Sequence, residues 1–393
     1  MNKFNLKVLL LLSLGHCVTD IYQGSLPVIL PFLKAKLDLS YTTAGVLLIA
    51  SNVASSVVQP IFGFFSDRKG KPLLMPLGVF CAGLGFSLAA LPSNYIVLLA
   101  LVLLSGLGVA AFHPEGFKTA SFFTGDRKAA GMSIFSVGGN LGFALAPIAA
   151  LTVVTHYGLD YLPVMMFFAL AFLTLLFVYW KKVAIPEMAT FGLKKGGDAA
   201  TPEGARAAMV LLIAAVVMRA WTQFGLISYI PFYYIDYLKG DPLYAGQLLT
   251  VFLISGVIGT LAGGHLADHV GHKRLFVISL ALSAVVLPLI FVVDGFLLMT
   301  VFALLGFFLI SSFAVTMVIS QRLLPNNVGM ASGLIAGFAI GTGGVGVTIL
   351  GVIADAYGVY FALQSIMILP IAGFMLSLFI KYPHIYKDKI SST

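Results

Sequence analysis

The chain is a succession of apolar runs, separated by short stretches that carry charges, prolines or glycines. A helix needs about 20 mostly apolar residues to cross a bilayer, whose hydrocarbon core is about 30 Å thick. Inside that core the backbone finds no water, so each run must form a helix that satisfies its own N–H and C=O groups. Twelve runs meet this requirement, at about 6–33, 42–66, 73–92, 95–122, 129–155, 160–181, 207–235, 243–267, 274–293, 295–322, 327–355 and 358–381.

The composition excludes a water-soluble protein and indicates an orientation in the membrane. Hydrophobic residues make up 60% of the 393 residues and charged residues only 10%, whereas soluble domains carry about 25% charged residues. With both termini in the cytoplasm, most of the 23 Lys and Arg residues fall on the cytoplasmic side, as the positive-inside rule requires. The net charge of +8 therefore reflects membrane topology and does not indicate a nucleic-acid partner. Two cysteines are too few for a disulfide scaffold.

The runs fall into two groups of six, separated by the longest polar segment of the chain. This segment contains Gly196, Gly197 and Pro202 together with several charges, which is typical of a flexible linker. The pattern predicts an all-α, multi-pass membrane protein with twelve transmembrane helices. They would form two six-helix bundles, residues 1–182 and 207–393, joined by a cytoplasmic linker over 183–206.

Two short motifs occur once in each group of runs. One of them follows the second and the eighth runs, as Gly63, Asp67, Arg68 and Gly70 and again as Gly264, Asp268 and Gly271. The other precedes the fifth and the eleventh runs, as Gly-Met-Ser at 131–133 and Gly-Met-Ala at 329–331. Both pairs lie about 200 residues apart, which indicates a duplication. The two halves are therefore predicted to be pseudo-symmetric and parallel, an arrangement found in transporters.

The repeated loop motif has a mechanical interpretation. Gly63 and Gly264 permit close approach of two helices, and the carboxylates of Asp67 and Asp268 can face the positive N-terminus of a neighbouring helix. Such a contact would close one face of the protein and break when that face opens. The alternative is a plain basic loop that only obeys membrane topology.

The first run carries polar residues on one helix face, because His16, Asp20 and Gln23 recur at i, i+4 and i+7. Asp20 lies near the predicted bilayer centre. Ionisable residues at that depth are costly, and they are functional candidates by default. We expect Asp20 with His16 to carry a proton, whereas a structural hydrogen-bonded pair is the alternative.

The fourth run contains a second polar group, His113 and Glu115 on either side of Pro114. On an ideal helix the two side chains would point in different directions, so they can act together only if Pro114 distorts the helix. A proton relay, a local polar network and a metal site remain open. An intramembrane metallohydrolase could use His16, Asp20, His113 and Glu115, but these residues lack the usual H-E-x-x-H spacing of a zinc hydrolase. We therefore predict that the protein is not an enzyme and has neither a metal nor catalytic residues.

Arg219 lies near the middle of the seventh run, at the position that the repeat places opposite Asp20. It can form an ion pair with Asp20, or its guanidinium fork can hold the carboxylate or phosphonate of an anionic substrate. The other predicted substrate-binding residues are polar or aromatic side chains of the first, fifth and seventh runs, namely Gln23, Asn140, Gln223, Tyr229 and Tyr233. Glycine-rich segments of the fifth and eleventh runs suit tight helix packing, and Asn140 can face a cavity.

The twelve runs, the duplicated halves and the two loop motifs resemble the major facilitator superfamily. This resemblance implies alternating access through a central cavity lined mainly by the first, fourth, seventh and tenth helices. Within the superfamily, Phe-His-Pro-Glu at 112–115 and the glycine run at 337–344 before Ala354 and Asp355 resemble the fosmidomycin resistance proteins, which are bacterial drug exporters. Thr19 and Arg219 stand where the pattern of that family has asparagine and lysine.

Together these features predict a proton-driven antiporter in a bacterial cytoplasmic (inner) membrane, with both termini inside. It would export a small, anionic drug such as a fosmidomycin-like phosphonate, act as a monomer and need no cofactor. A symporter that imports an organic anion would use the same residues and is the alternative.

Overall fold

The computed structural model describes residues 4–39, 41–68, 72–184, 204–240 and 242–382, and every regular element in these ranges is helical. The helices form twelve consecutive segments, here called spans 1 to 12, so the predicted all-α twelve-helix membrane fold is confirmed. Gly70 of the first loop motif lies outside the described residues, as does most of the predicted linker, at 185–203.

The first six spans are continuous helices or helices with a short irregular turn. They are Leu6–Lys36, Tyr41–Asn52 with Val53–Val57 and Gln59–Arg68, Leu74–Leu88, Tyr95–Phe123, Lys128–Tyr157, and Leu159–Met165 with Met166–Val178. The first N–H groups of a helix have no partner within the helix, and asparagine side chains satisfy one such group in spans 1 and 4. Asn5 accepts from the backbone of Val8 at 3.2 Å, and Asn94 accepts from that of Ile96 at 2.8 Å.

The second six spans repeat this order. They are Ala205–Pro231 with Phe232–Tyr237, Pro242–Val270, His272–Val286 with Leu287–Phe291, Gly295–Ser311 with Phe313–Leu323, Val328–Ser332 with Gly333–Ala339 and Gly343–Tyr357, and Val359–Ser365 with Ile368–Leu378. Within the described ranges, three turns are π-helical, namely Val53–Val57 in span 2, Phe232–Tyr237 in span 7 and Gly333–Ala339 in span 11. Turns of this kind are frequent at functional sites.

A further repeat becomes visible where spans 5 and 11 end. Gly158 and Gly358 each follow a tyrosine, and their φ angles are 97° and 89°. Residues with a side chain rarely adopt this backbone conformation, so glycine is needed to turn the chain into the next span. The two glycines lie about 200 residues apart, which matches the duplication that the loop motifs indicate.

Ten of the spans are long and apolar enough to cross a membrane. Span 3 is apolar but has only 15 residues, and span 1 has 31 residues but carries polar side chains in its middle. The ionisable residues in the middle of span 1, His16 and Asp20, are buried against other helices, so they need not face lipid.

The two halves meet at the end of the bundle that holds both loop motifs, here called the motif end. Span 2 packs against span 11, and span 5 packs against span 8. A Cβ atom on Gly63 would overlap the carbonyl group of Gly329, and one on Gly264 would lie 2.6 Å from the carbonyl oxygen of Ala129. Both motif glycines are therefore required for the close contact between the halves.

Gly108→Ala is expected to lower the thermal stability of the protein, whereas Gly344→Ala is not. A Cβ atom at 108 would overlap the backbone of Gly78 and Ala82 in span 3, while open space surrounds Gly344. Overpacking costs about 1–3 kcal/mol, and replacing a helical glycine by alanine otherwise stabilises by roughly 0.5–1 kcal/mol. Equal melting temperatures of the two solubilised variants would contradict the close packing of spans 3 and 4.

Candidate functional site

A buried carboxylate, that of Asp20, lies between two histidines in the first half. Its Oδ1 atom is 3.0 Å from Nε2 of His113 in span 4, and its Oδ2 atom is 3.4 Å from Nε2 of His16, one turn earlier on span 1. None of the three residues is more than 6% exposed. The structure thus places three of the four residues predicted to move protons in one cluster, here called the Asp20 cluster.

The backbone holds the other ring nitrogen of each histidine. Nδ1 of His16 is 2.9 Å from the carbonyl oxygen of Phe135, and Nδ1 of His113 is 2.9 Å from that of Val109. A carbonyl oxygen only accepts, so each Nδ1 carries a hydrogen, and Nε2 of a neutral ring then presents a lone pair. An ionised Asp20 between two neutral rings would place only lone pairs against each other. This arrangement therefore calls for at least one further proton in the cluster.

Span 5 packs tightly against this part of span 1 through glycines. A Cβ atom on Gly139 would lie 2.6 Å from both Oδ2 of Asp20 and Nε2 of His16, and one on Gly142 would overlap the carbonyl of Cys17. The glycine run of span 5 is therefore a packing surface, which agrees with the tight helix packing predicted for it. Asn140, within this run, is half-buried.

Aromatic rings surround the His16 side of the Asp20 cluster. The imidazole stacks on Phe135 with a centroid distance of 4.4 Å, and the rings of Phe112 and Phe117 lie 6.1 and 5.5 Å away. These apolar neighbours exclude water, which strengthens every electrostatic interaction inside the cluster.

Glu115 contacts a different set of partners from His113, so Pro114 does not bring the two together. Its carboxylate accepts from the hydroxyl of Ser66 at 3.0 Å and from the backbone N–H of Met75 at 2.8 Å. Glu115 is 1% exposed. It therefore fastens the first turn of span 3 to the end of span 2, and of the four predicted proton-carrying residues it is the one placed outside the Asp20 cluster.

The two motif aspartates bind helix N-termini of the opposite half. Asp67 accepts from the backbone N–H groups of Gly329 and Met330 at 2.8 and 2.9 Å, at the start of span 11. Asp268 makes the equivalent contacts with the second and third residues of span 5, Ala129 and Ala130, at 3.0 and 2.9 Å. A carboxylate at this position satisfies unpaired N–H groups and meets the positive end of the helix dipole. Two such contacts hold the motif end closed.

The other motif residues support these contacts. Arg68 stacks over the ring of Phe64 at 3.9 Å. In the second copy, Gly271 has a φ angle of 101° and begins span 9, and His272 lies 3.3 Å from Asp268. Lys118 of span 4 donates to the carbonyl oxygen of Ser66 at 2.5 Å and lies 3.9 Å from Asp67. Span 4 therefore contacts the first motif through both Glu115 and Lys118.

Arg219 is 1% exposed, and its Nε and Nη1 atoms have no hydrogen-bond partner in the described part of the chain. Its guanidinium carbon lies 5.6 Å from the ring centre of Phe313 in span 10. The predicted alternative of an ion pair with Asp20 is not formed among the described residues, where the ionisable groups close to the Asp20 carboxylate are the two histidines.

The remaining candidate residues for substrate are spread along the protein. Gln23 donates to the hydroxyl of Ser55 at 3.3 Å, and Gln223 is half-buried. Tyr229 donates to the carbonyl of Val347 at 3.2 Å. Tyr233 belongs to a cluster of three mutually neighbouring rings with Tyr237 and Tyr360. At 1.5 Å per residue, the Cα atoms of Tyr229 and Tyr233 lie about 15 and 21 Å beyond that of Arg219 along span 7, which is about three and four helical turns.

Two residues of this site were not identified in the sequence. Ser66 joins Glu115 and Lys118 at the loop motif, and its position directly before Asp67 is the signal that points to it. Gly139 leaves the space that the Asp20 cluster occupies. The sequence indicated only helix packing for the glycine run that contains Gly139. That Gly139 lies against Asp20 and His16 of span 1 could not be known from span 5 alone.

Comparisons with known proteins agree with this architecture. A sequence model of the Major Facilitator Superfamily matches residues 12–238 and 212–392. The chain is 31% identical to the fosmidomycin resistance protein of Escherichia coli (strain K12) over 386 residues, which covers 94% of this chain and 91% of the relative. It is also 31% identical, with the same coverages, to an uncharacterized MFS-type transporter, YfnC, of Bacillus subtilis (strain 168). The fold matches the crystal structure of the MFS transporter FucP in the outward conformation, with a TM-score of 0.72 at 14% identity over 96% of this chain and 99% of FucP.

Glu115→Ala is expected to destabilise the protein, whereas Glu115→Gln is expected to be close to wild type in stability. Alanine leaves the N–H of Met75 and the hydroxyl of Ser66 without their acceptor, and such a loss costs about 1–3 kcal/mol. Glutamine keeps one carbonyl oxygen. Melting curves of the purified variants measure this difference, and equal stability of Glu115→Ala and wild type would contradict the fastening role.

Asp67→Ala is expected to loosen the motif end. The substitution removes two hydrogen bonds to the N-terminus of span 11, and such carboxylate contacts contribute about 0.3–2 kcal/mol each to the preference for the closed state. A cysteine introduced at buried Ser332, in a background with Cys17 and Cys81 replaced, should then react faster with a water-soluble maleimide. Asp160→Ala is the control, because Asp160 pairs with Lys36 within the first half. Equal labelling rates in both variants would contradict the clamp.

Proposed function

Because the chain belongs to the Major Facilitator Superfamily, we propose that it is a proton-coupled antiporter that exports a small anionic drug by alternating access. The observation that carries this proposal is the Asp20 cluster, a buried carboxylate between two histidines whose Nδ1 atoms are already engaged. The relation to the fosmidomycin resistance protein supports a fosmidomycin-like phosphonate as the exported compound.

The first half would carry the proton. With a proton between Asp20 and His113, spans 1 and 4 are held together at 3.0 Å. Without it, lone pairs of Asp20, His16 and His113 face one another in an apolar surrounding, and their repulsion favours separation of the spans or entry of water. Protonation therefore biases the equilibrium between two arrangements of the same helices.

Span 4 provides a physical connection from the Asp20 cluster to the motif end. His113 lies in the cluster, and Glu115 and Lys118, within the next two turns, bind Ser66 and Met75 beside the first loop motif. A displacement of span 4 that accompanies a change in protonation of the Asp20 cluster would move these anchors as one unit. Because Lys118 lies beside Asp67, this displacement would couple the cluster to the contact of Asp67 with span 11. A proton taken up from outside while the motif end is closed would then be released to the cytoplasm after that end opens.

The second half would bind the substrate anion through Arg219. Two of its guanidinium nitrogens lack partners in the described part of the chain, and its side chain is buried beside Phe313. An arginine fork binds phosphonate or carboxylate with two parallel hydrogen bonds. Gln23, Asn140 and Gln223 are the polar side chains that would complete the site, and Tyr229 and Tyr233 would contribute farther along the cavity.

We further place the protein in the bacterial inner membrane as a monomer, with both termini and the linker over 183–206 in the cytoplasm. This orientation puts the motif end in the cytoplasm, so the arrangement described above is closed toward the cell interior. The distribution of Lys and Arg along the sequence supports it.

The test is drug-driven proton movement in proteoliposomes that contain the purified protein and a pH-sensitive dye. Wild type should dissipate an imposed pH gradient when fosmidomycin is added, and Asp20→Asn should slow this flux by roughly 10²-fold, as expected for loss of a proton-transfer group. The control is Asp355→Asn, because Asp355 is an exposed aspartate on span 11. Arg219→Ala should raise the drug concentration for half-maximal flux by at least about 10-fold, because it removes both charge-assisted hydrogen bonds of the guanidinium fork.

Two results would overturn the proposal. Drug flux without accompanying proton movement would exclude proton coupling, and equal fluxes in Asp20→Asn and Asp355→Asn would exclude the Asp20 cluster as the proton site. Uptake of the anion together with protons would instead establish the symporter, because drug and proton would then move in the same direction.

A further inference from the structure

Three metal-ligating atoms converge in the Asp20 cluster. Nε2 of His16, Nε2 of His113 and one carboxylate oxygen of Asp20 all lie within 4.8 Å of one another. The shortest histidine–carboxylate distances end on different oxygens of Asp20, at 3.4 Å from His16 to Oδ2 and at 3.0 Å from His113 to Oδ1. Two ligands bound tetrahedrally to Zn²⁺ at about 2.0–2.1 Å are separated by about 3.3 Å, so binding of one ion would draw these three atoms together by at most about 1.5 Å. We propose that these three side chains bind one transition-metal ion of the Zn²⁺ class, and that the bound ion blocks transport by occupying the proton site.

The backbone already orients both histidines for a metal. A metal-binding histidine usually donates its other ring N–H to a carbonyl or carboxylate, which fixes the tautomer and the direction of the ring. Both histidines have this contact, at 2.9 Å to Phe135 in span 5 and at 2.9 Å to Val109 in span 4. The lone pairs of the two Nε2 atoms therefore point at Asp20 without any change of rotamer.

The donor set selects the kind of ion. Mg²⁺ and Ca²⁺ prefer six or more oxygen ligands, whereas two imidazoles and one carboxylate suit Zn²⁺, Co²⁺ or Fe²⁺. Gly139 keeps room for the ligands, because a Cβ atom there would lie 2.6 Å from both Asp20 and His16. Three protein ligands leave a fourth position for water.

A small cavity lies near the Asp20 cluster. Its lining contains the polar residues Gln23, Ser51 and Ser55 together with apolar residues such as Leu26, Phe86 and Val109. Gln23 lies one helical turn from Asp20 on span 1, and Val109 is the residue whose carbonyl holds His113. Hydroxyl and amide groups of this cavity can take over part of the hydration shell of an entering ion.

A bound ion would replace the proton that the cluster otherwise requires, and binding should therefore release protons. It would also tie span 1 to span 4, which the transport cycle must separate. This second consequence rests on the proposed function, whereas binding of the ion does not.

The test is titration of the purified full-length protein, without a polyhistidine tag, with Co²⁺ alone. Exposed His265 and His269, whose rings are 5.1 Å apart on span 8, can form a surface metal pair and are first replaced by alanine. In this background we expect one Co²⁺ per chain and the visible absorption of a four-coordinate ion. His113→Ala and Asp20→Asn should each weaken binding at least about tenfold, whereas His156→Ala, at an exposed histidine, should not.

Gly139→Ala provides a second test of the metal site, because it keeps all three ligand side chains and only crowds the space between them. It should also weaken Co²⁺ binding, and size-exclusion profiles establish whether each variant is folded. Binding that is absent, or unchanged in His113→Ala, Asp20→Asn and Gly139→Ala, would overturn the metal site. Co²⁺ binding without inhibition of proton flux by Zn²⁺ would overturn the blocking role. If the protein binds Co²⁺ as expected but shows no proton-coupled transport, the proposed function is overturned and the metal site is retained.

Discussion

Two carboxylates hold the halves of this protein together at the motif end. Asp67 and Asp268 each accept two backbone N–H groups at the start of a helix in the opposite half. Where water is excluded between packed helices, an ionised carboxylate and a helix N-terminus with unpaired N–H groups are each unfavourable alone, and their contact satisfies both. The close approach of Gly63 and Gly264 to the partner helices depends on these two contacts. Burial of the surfaces between spans 2 and 11 and between spans 5 and 8 depends on them as well.

The two contacts are alike in chemistry but differ in their surroundings. Spans 5 and 8 are uninterrupted helices, whereas spans 2 and 11 contain π-helical turns that face each other. Among the described residues, Lys118 and Glu115 link the first contact, and not the second, to the helix that carries His113. The buried ionisable residues are also divided unequally, because the first half contains the Asp20 cluster and the second contains Arg219. Under the proposed function, the duplicated scaffold would assign protons to one half and the substrate anion to the other.

Several features of the site follow from local sequence rules. The i, i+4 spacing places His16 and Asp20 on one face of a helix, and the predicted separation of His113 from Glu115 on an ideal helix agrees with their different partners. The second histidine beside Asp20, His113 of span 4, could not be identified in this way. Which face of span 4 meets span 1 depends on how both helices pack against span 5, and no pattern within a single helix contains that information. The same reason explains why the repeat suggested Arg219 as a partner for Asp20, although the structure places it beside Phe313.

The sequence by itself determined the number of helices, their order and the duplication. Apolar length dictates which segments cross the membrane, since an unpaired backbone cannot remain in hydrocarbon, and the spacing of Gly and Asp survives in both halves. Only the tertiary structure decided which polar groups meet. Contacts such as that of Asp67 with Gly329 or of His113 with Asp20 join residues far apart in the chain. They depend on rotations of whole helices, where a turn of one residue position, about 100°, would direct the side chain to a different neighbour.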